Sequence, residues 1–569
     1  MLSVLLTPHT LRAQEILDYL PEDALGFVLI RDVSGASKKC EQLMQLFDVA
    51  SPAPLELAKS STGLDEGLDF DGDVLAALLP GSQSTDPPEP LVVLPVADYA
   101  KFAASVSGDD SGEVCRVTIA GEDVLVARHG PYAMLMNVEH RETLEILVGL
   151  EPAPVALVAP WAEWLKNNQA TLAILPTGRV KLMEMGRQGL AQQRQLWRQE
   201  FGEPELAGVL AQMQQSMAVY QTLLELFGAK VNALALGLSF SDANDLRFGM
   251  RFLLDGPPSD SAEATDAVAA PLAGYPDRPF VFAGGGPTSG SWMRALTTTG
   301  VLMMKRSPEL YGYQNFDDEA WQELETSFQD LTKSVRSATM LMLTGEKGDP
   351  LFGNFYGIST VENTREYLEI CKKSVATWNR LEAQSSSDIQ LQWEIHDNKV
   401  AGAEACELLV DVAAAARDPN VPLFNWMLES MFGKDGKMRM LLVAVDEKTL
   451  IAGLADEEQM AKAIDQLKQR EMGLQNSADV QTTHKLLNSE AAWKFYVSPQ
   501  GCVTWFHRLM DELFGQIVQQ PAMEIPEYEA GPPVGVSLHL HQSQADIDVV
   551  WPVQALEALA DFIKKCKEL

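Results

Sequence analysis

Two histidines are the residues of this chain whose type and spacing come nearest to a metal site. His539 and His541 alternate with Leu538 and Leu540, so a β-strand would carry both imidazoles on one face. Imidazole is a common zinc ligand, but a zinc site needs at least three protein ligands, and the third has to come from elsewhere in the chain. The alternative is a polar strand face in contact with water. We therefore take His539 and His541 as candidate metal ligands.

A run of glycines is the second segment with possible chemistry. Gly284, Gly285 and Gly286 open a small-residue stretch that ends at Gly290, between a predicted strand and a predicted helix. Backbone amides in such a loop can bind an anion, especially at a helix N-terminus. The spacing matches neither the dinucleotide-binding GxGxxG pattern nor a P-loop. We predict a glycine-rich loop that is either a candidate anion-binding site or a tight turn required by the backbone.

No catalytic residue and no cofactor is predicted. The sequence lacks the HExxH zinc motif and the GxSxG nucleophile elbow. Its six cysteines are scattered without a CxxC pair, so buried free thiols are the default, and up to three disulfides are open to an exported chain. Whether the protein is an enzyme is left undecided, and the sequence leans towards no.

The strands that would position the two histidines recur in both halves of the chain. Residues 234–241 alternate between large apolar and small side chains, and a polar turn and a second alternating strand follow; the same pattern returns at 534–541. Period-two alternation is typical of half-buried strands, with the large apolar residues facing a core. The histidines then correspond to Ser239 and Ser241, on the face predicted to be polar.

Four further matches keep the same order in both halves. They pair Ala24–Ile30 with Pro279–Ala283, Leu91–Val96 with Leu351–Ile358, the hairpin turn Gly121-Glu122 with Asp397-Asn398, and Thr171–Leu175 with Ala492–Val497. Strands in hairpins that alternate with amphipathic helices indicate an α+β fold. We predict two duplicated halves, each a mainly antiparallel sheet with amphipathic helices packed on it.

The predicted boundaries follow from turn-rich segments. Residues 1–14 contain a short apolar run that resembles the remnant of a signal peptide. The first α+β repeat is predicted over 15–272, with a helical-hairpin insertion near 180–228, and the second over 273–569.

Charge and hydropathy limit the partners. The 569 residues include 44 basic and 79 acidic side chains, which gives a formal net charge of -35. Such a charge repels the phosphates of nucleic acids at long range, so a nucleic-acid partner is not expected. No uninterrupted apolar stretch of about 18 residues is present, so no membrane span is expected.

Three segments near the start of the chain carry a family resemblance. They are LPEDALGFVLIRDV from Leu20, GLDFDGDVLAALLPG from Gly67 and PLVVLPVADYAKFAASV from Pro90. Over these residues the chain resembles a family of exported bacterial proteins of unknown function, planctomycete proteins among them. The resemblance covers mainly the first ~150 residues and implies a location outside the cytoplasm, periplasmic or secreted; a cytoplasmic location is the alternative. It implies no catalytic residues.

Two functional hypotheses remain. The first is an exported, non-enzymatic binding or scaffolding protein whose partner is a protein or a small molecule. The second is a hydrolase or metal-dependent enzyme with a site in the cleft between the two halves, at which carboxylates or histidines would converge with His539 and His541.

Overall fold

The computed structural model contains helices and antiparallel strands, and it divides into two compact units. It describes residues 16–81, 87–106, 114–153, 155–200, 213, 217, 220–222, 224–225, 228–255, 272–288, 291–306, 308, 313–346, 348–385, 391–411, 430–432, 437–469, 473–517, 525–541 and 543–568. The first unit comprises Met1–Arg187 and Phe227–Asp255, and the second comprises Gln188–Leu226 and Gly256–Leu569. The mixed α and β content that the sequence predicts is confirmed.

The first unit contains one antiparallel sheet in its described residues. Its strands are β1 (Gly26–Ile30), β2 (Val74–Leu79), β3 (Glu89–Pro95), β4 (Val114–Ile119), β5 (Glu122–His129), β6 (Tyr132–Asn137), β7 (Ala170–Ile174), β8 (Val231–Phe240) and β9 (Leu246–Leu254). They lie in the order β4-β5-β6-β3-β2-β1-β7-β8-β9, and every neighbouring pair is antiparallel.

The helices of this unit connect the strands. They are α1 (Val33–Leu46), α2 (Pro54–Thr62), α3 (Tyr99–Ser105), α4 (Arg141–Gly149), α5 (Ala162–Lys166) and α6 (Pro176–Glu200), the last of which continues into the second unit. Short 3-10 helices at Val138–His140 and Ala156–Trp161 precede α4 and α5.

The second unit contains a sheet of the same strand order, with one more strand. Its strands are β10 (Phe280–Pro287), β11 (Val335–Leu343), β12 (Phe355–Val361), β13 (Trp393–Val400), β14 (Ala403–Val410), β15 (Met438–Ala444), β16 (Thr449–Leu454), β17 (Trp493–Val497), β18 (Val534–His541) and β19 (Gln544–Trp551). The order is β13-β14-β15-β16-β12-β11-β10-β17-β18-β19, again antiparallel throughout.

Polar side chains cap the N-termini of several helices in the second unit. They are α7 (Ser291–Arg306), α8 (Asp318–Lys333), α9 (Thr364–Glu382), α10 (Glu457–Lys468), α11 (Ala478–His484), α12 (Pro499–Ile517) and α13 (Val553–Glu568), with a 3-10 turn at Leu474–Asn476. Asp317 accepts a hydrogen bond from the Ala320 amide at 2.9 Å, and Asp456 forms a capping box with Gln459. These caps satisfy amides that a helix leaves without a partner at its first turn.

The predicted hairpin turn at Asp397-Asn398 is wrong. These residues lie inside β13, and the chain turns instead at Ala401-Gly402, as it turns at Ala120-Gly121 between β4 and β5. All four turn residues have positive φ, between 48° and 86°. Such a pair of positive φ angles is typical of a type I′ turn, whose twist matches the strands that it joins. The short Ala-Gly pairs, and not the acidic residues, therefore set the register.

The burial of the paired hairpins is the reverse of the sequence prediction. Ala235 and Ser537, which we placed on the polar face, are almost fully buried, whereas Leu236 and Leu538 on the opposite face are only partly buried. The reason is helix packing. A Cβ atom on Gly237 would lie 2.5 Å from the Trp164 side chain, so only a small residue lets the segment that carries Trp164 approach β8.

A proline-x-glycine start gives α6 and α12 the same close approach to a strand. Gly178 and Gly501 are the third residues of these helices. A Cβ atom on Gly178 would lie 1.7 Å from the Leu25 carbonyl oxygen, and one on Gly501 would lie 1.8 Å from that of Phe280. Each helix therefore begins against the start of its unit's first strand, and glycine is the residue that permits it.

Candidate functional site

The glycine run does not form the predicted loop. Gly284, Gly285 and Gly286 lie inside β10, where Gly284 and Gly285 are paired with β11 on one side and with β17 on the other. A Cβ atom on Gly284 would lie 2.4 Å from the carbonyl oxygen of Lys494 in β17. The glycines thus let three strands approach closely, and the strand pairing engages the backbone that an anion would need. Nothing in this geometry favours anion binding, which stays a prediction.

The two candidate metal ligands are neighbours, but each has a different polar partner. The rings of His539 and His541 are 4.8 Å apart. His541 Nε2 lies 3.0 Å from Asp546 Oδ2, and His539 Nδ1 lies 3.3 Å from Asn488 Nδ2. Among the residues that the structure describes, no group of three or more His, Cys, Asp or Glu side chains is arranged to hold a metal ion. The predicted site therefore gains one carboxylate and lacks a set of three ligands.

A row of buried polar side chains crosses the sheet beside these histidines. Lys494 of β17, Ser537 of β18 and Asp548 of β19 are adjacent in register, and each is less than a tenth exposed. Buried charged groups are uncommon in cores because burial removes their hydration. We did not predict this row from the sequence, because Lys494 and Asp548 are ordinary members of alternating strands there.

The buried row also affects His484, the last residue of α11. His484 Nδ1 lies 2.6 Å from the hydroxyl of Tyr496, which is almost fully buried. Burial lowers the pKa of His484 below its ordinary value, and the positive charge of Lys494 lowers it further. Burial also lowers the pKa of Lys494 and raises that of Tyr496. The neutral forms of all three groups are therefore favoured relative to water.

A cavity of about 770 Å³ lies in the first unit. It is bordered by the segment 18–23 before β1, the end of β2, the start of β3 and the face of α4 with the residues after it. Its apolar lining residues are Leu20, Pro21, Leu79, Pro80, Met134, Ile146, Leu147, Leu150, Pro152 and Ala153. This volume falls in the range of sites that enclose small molecules.

The outer wall of the cavity is apolar and open to solvent. Ile146 is 65% exposed and Leu150 is 56% exposed, although both line the cavity. Leu147 on the same helical face packs against the core of the unit. Large apolar side chains around a concavity are typical of a surface that binds an apolar molecule.

One buried carboxylate reaches the cavity. Glu89, the first residue of β3, is 4% exposed and lines the cavity. Its Oε2 atom lies 3.2 Å from Nδ1 of His140. This pair places a polar group at the end of an otherwise apolar row, which Leu91 and Val93 continue along β3.

An aromatic group borders the same cavity. The ring of Tyr19 stands edge-on to His129 and to Tyr132, with each pair of centroids 4.9 Å apart. Burial lowers the pKa of His129, and a hydrogen bond to the Leu150 backbone opposes this effect. His129 is therefore biased towards its neutral form and adds a polar but largely uncharged edge to the lining.

A second cavity, in the other unit, is more polar. It has a volume of about 690 Å³ and lies along α8 and α9. Its charged lining residues carry both signs: Glu319, Glu323, Asp330, Lys333, Glu362, Glu366 and Lys373. Mixed charges of this kind are typical of a solvated groove between two packed helices.

The cavity in the first unit was not predicted, because no local pattern encodes it. Its walls come from segments more than a hundred residues apart, as Asp18 and Leu150 illustrate. One signal was present in the sequence. Ile146 and Leu150 lie four residues apart after Glu142 and Glu145, so a helix exposes two large apolar side chains beside acidic ones.

Comparisons with known proteins identify no relative. The chain matches no family model, no curated protein and no solved structure. In the part of the chain that the structure describes, no helix is both long and apolar enough to cross a membrane.

Proposed function

We propose that this protein is an exported binding protein, and that the cavity of its first unit holds a small molecule with an apolar body. The observation that carries the proposal is the cavity of about 770 Å³ with Ile146 and Leu150 exposed along its wall. Contact with a ligand would remove these side chains from water, at about 25 cal/mol per Å² of apolar surface. Binding, and not catalysis, is the activity that such a lining supports.

The alternative, a hydrolase or metal-dependent enzyme, has a narrower basis. Its support is the hydrogen bond between His541 and Asp546 and the buried Lys494 nearby. An imidazole beside a carboxylate can act as a general base when a nucleophile lies within hydrogen-bond reach. The hydrogen-bond partners given for the two histidines are Asp546 and Asn488, and neither contact is to a Ser, Thr or Cys side chain that the imidazole would activate.

The two units are further proposed to descend from one duplicated fold. Support comes from their common strand order and from the Pro-x-Gly starts of α6 and α12. Export is proposed from the resemblance of the first ~150 residues to exported bacterial proteins. The net charge of -35 supports a partner other than nucleic acid.

The binding proposal is tested with N-phenyl-1-naphthylamine, a neutral fluorophore that brightens in apolar surroundings. We expect saturable binding to the intact protein. The double substitution Ile146→Ser, Leu150→Ser should weaken it about tenfold, equivalent to about 1.4 kcal/mol of lost apolar contact. Both side chains are more than half exposed, so the substitutions should leave the fold intact.

The matched control is Leu57→Ser on α2. Leu57 is 46% exposed and does not line the cavity. This variant should bind the fluorophore like the original protein. Absence of saturable binding, or binding that the double substitution leaves unchanged, would reject the proposed function.

A further inference from the structure

We infer that the ligand of the first-unit cavity carries a positively charged amino group next to its apolar body. This inference rests on the proposed function and adds the chemical class of the molecule. Three features support it: the charge of the lining, the position of Glu89, and the aromatic group at Tyr19.

The charged residues that line the cavity are acidic. They are Asp18, Glu22, Asp23, Glu89 and Glu151. Among the described lining residues none is lysine or arginine, and His129 is biased towards its neutral form by burial. A concavity with one sign of charge concentrates ions of the opposite sign. An anionic amphiphile of the same shape would be repelled.

Glu89 provides the anchor for the cationic group. Glu89 lines the cavity and is only 4% exposed, so its side chain is almost fully removed from water. Charges attract more strongly in such surroundings than at an exposed surface. One partner, His140, contacts Oε2 of Glu89 with its Nδ1 atom and is not part of the cavity lining. An ammonium group in the cavity would add a charge-assisted hydrogen bond to the same carboxylate.

The aromatic group favours the same class. Tyr19 lines the cavity, and its ring makes T-shaped contacts with the rings of His129 and Tyr132. The face of an aromatic ring attracts a cation within about 6 Å of its centroid. The carboxylate and the tyrosine ring therefore select for one property, a positive charge attached to an apolar body.

The test uses three probes of equal chain length: decylamine, decanol and decanoate. Affinities are measured below their aggregation limits by displacement of N-phenyl-1-naphthylamine. We expect decylamine to bind about tenfold or more tightly than decanol, because the acidic lining attracts its ammonium group, and decanoate to bind more weakly than decanol. Glu89→Gln should remove most of the preference for decylamine over decanol.

Glu142→Gln is the matched control. It removes the same charge from an exposed position on α4 that does not line the cavity, and it should preserve the decylamine preference. If Glu89→Gln loses decanol binding as well, the double variant Asp23→Asn, Glu151→Gln replaces it. This variant should lower the decylamine preference about threefold through the loss of two charges at the cavity.

The outcomes separate the two proposals. Equal binding of all three probes would overturn the inferred charge preference while supporting an apolar binding site. A decylamine preference that survives Glu89→Gln and the double variant would also overturn the inference. Failure of every probe to displace the fluorophore, or to bind at all, would reject the proposed binding function itself.

Discussion

The two units use the same strand positions for opposite kinds of side chain. Thr171 in β7 and Lys494 in β17 each stand five residues before the proline that starts the next helix. In the first unit the row continues through Gly237 and Gly249, and in the second through Ser537 and Asp548. The first row carries a single side chain, that of Thr171, whereas the second buries those of Lys494, Ser537 and Asp548.

The difference shows which part of the fold is fixed by the backbone. The strand order and the helix starts are alike in both units, and they depend on glycines that admit a close approach. The row across the sheet depends on side chains that can be exchanged while the strands stay in register. Chemistry can therefore be added to one unit, as at Lys494, without a change in its topology.

A second difference concerns the segment before the first strand of each unit. In the first unit this segment, Asp18 to Asp23, lines the cavity together with α4. In the second, Gly274 packs against α10 so closely that a Cβ atom would lie 2.2 Å from Leu467 Cδ1. The same part of the fold thus borders a cavity in one unit and packs against a helix in the other.

The largest expected effect comes from substitutions at the Pro-x-Gly starts of α6 and α12, which both units share. Gly178→Ala and Gly501→Ala should each destabilise the protein by about 4 kcal/mol or more, since the new methyl group would overlap a backbone carbonyl that cannot rotate away. Chemical denaturation measures the effect. Gly189→Ala in α6, where the methyl group meets nothing within 4 Å, should instead stabilise by about 0.5–1 kcal/mol. An unchanged free energy of unfolding in either the Gly178 or the Gly501 variant would show that glycine is not required at these helix starts.

The next prediction compares the segment that borders the first-unit cavity with the segment that packs against α10 in the second unit. Leu467→Ala should cost about 2–5 kcal/mol, because this buried side chain fills the space against Gly274. Ile146→Ala in the first unit should change the free energy of unfolding by less than about 0.5 kcal/mol, because Ile146 is exposed. Equal losses from the two substitutions would show that the segments are packed alike.

The smallest effect concerns pH and the polar row. The pKa of His484 is lowered in the folded state by burial and by Lys494, so the unfolded chain binds a proton more readily. The stability that His484 contributes is therefore complete above its unfolded pKa of about 6.5, and it is lost as the pH falls through the lower folded value. The protection factors of the β17 amides, which are corrected for the intrinsic exchange rate at each pH, should fall over that window.

His484→Gln should remove this part of the pH dependence, since an amide can hydrogen-bond to Tyr496 and does not titrate. His396→Gln, at an exposed position in β13, is the control and should leave the pH profile as it was. An unchanged profile in the His484 variant would show that other groups govern the acid sensitivity of β17.

The sequence predicted elements well where periodicity decides them. The alternation in β8, β9, β18 and β19 predicted the paired hairpins. The sequence-based prediction was wrong where contacts between residues distant in the chain determine the structure. Gly284 and Gly285 look like a loop in one dimension, but they lie in a central strand because β11 and β17 approach so closely.

The buried face of β8 and the first-unit cavity could not be predicted from the sequence for the same reason. Which face of β8 is buried depends on Trp164, which packs against Gly237 from a segment about seventy residues away. The cavity depends on segments that the sheet order brings together. Nothing in the sequence distinguishes Glu89 from the other acidic residues, of which the chain has 79 in all. Local patterns record neither kind of contact.

The central claim is that the cavity of the first unit is the binding site. Hydrogen exchange of the intact protein with and without decylamine tests it most directly. The account predicts slower exchange at residues 18–23 and 141–150 and at Glu89, and unchanged exchange at 534–551 in β18 and β19. Protection at β18 and β19 without protection at the cavity, or no protection anywhere at saturating decylamine, would contradict it.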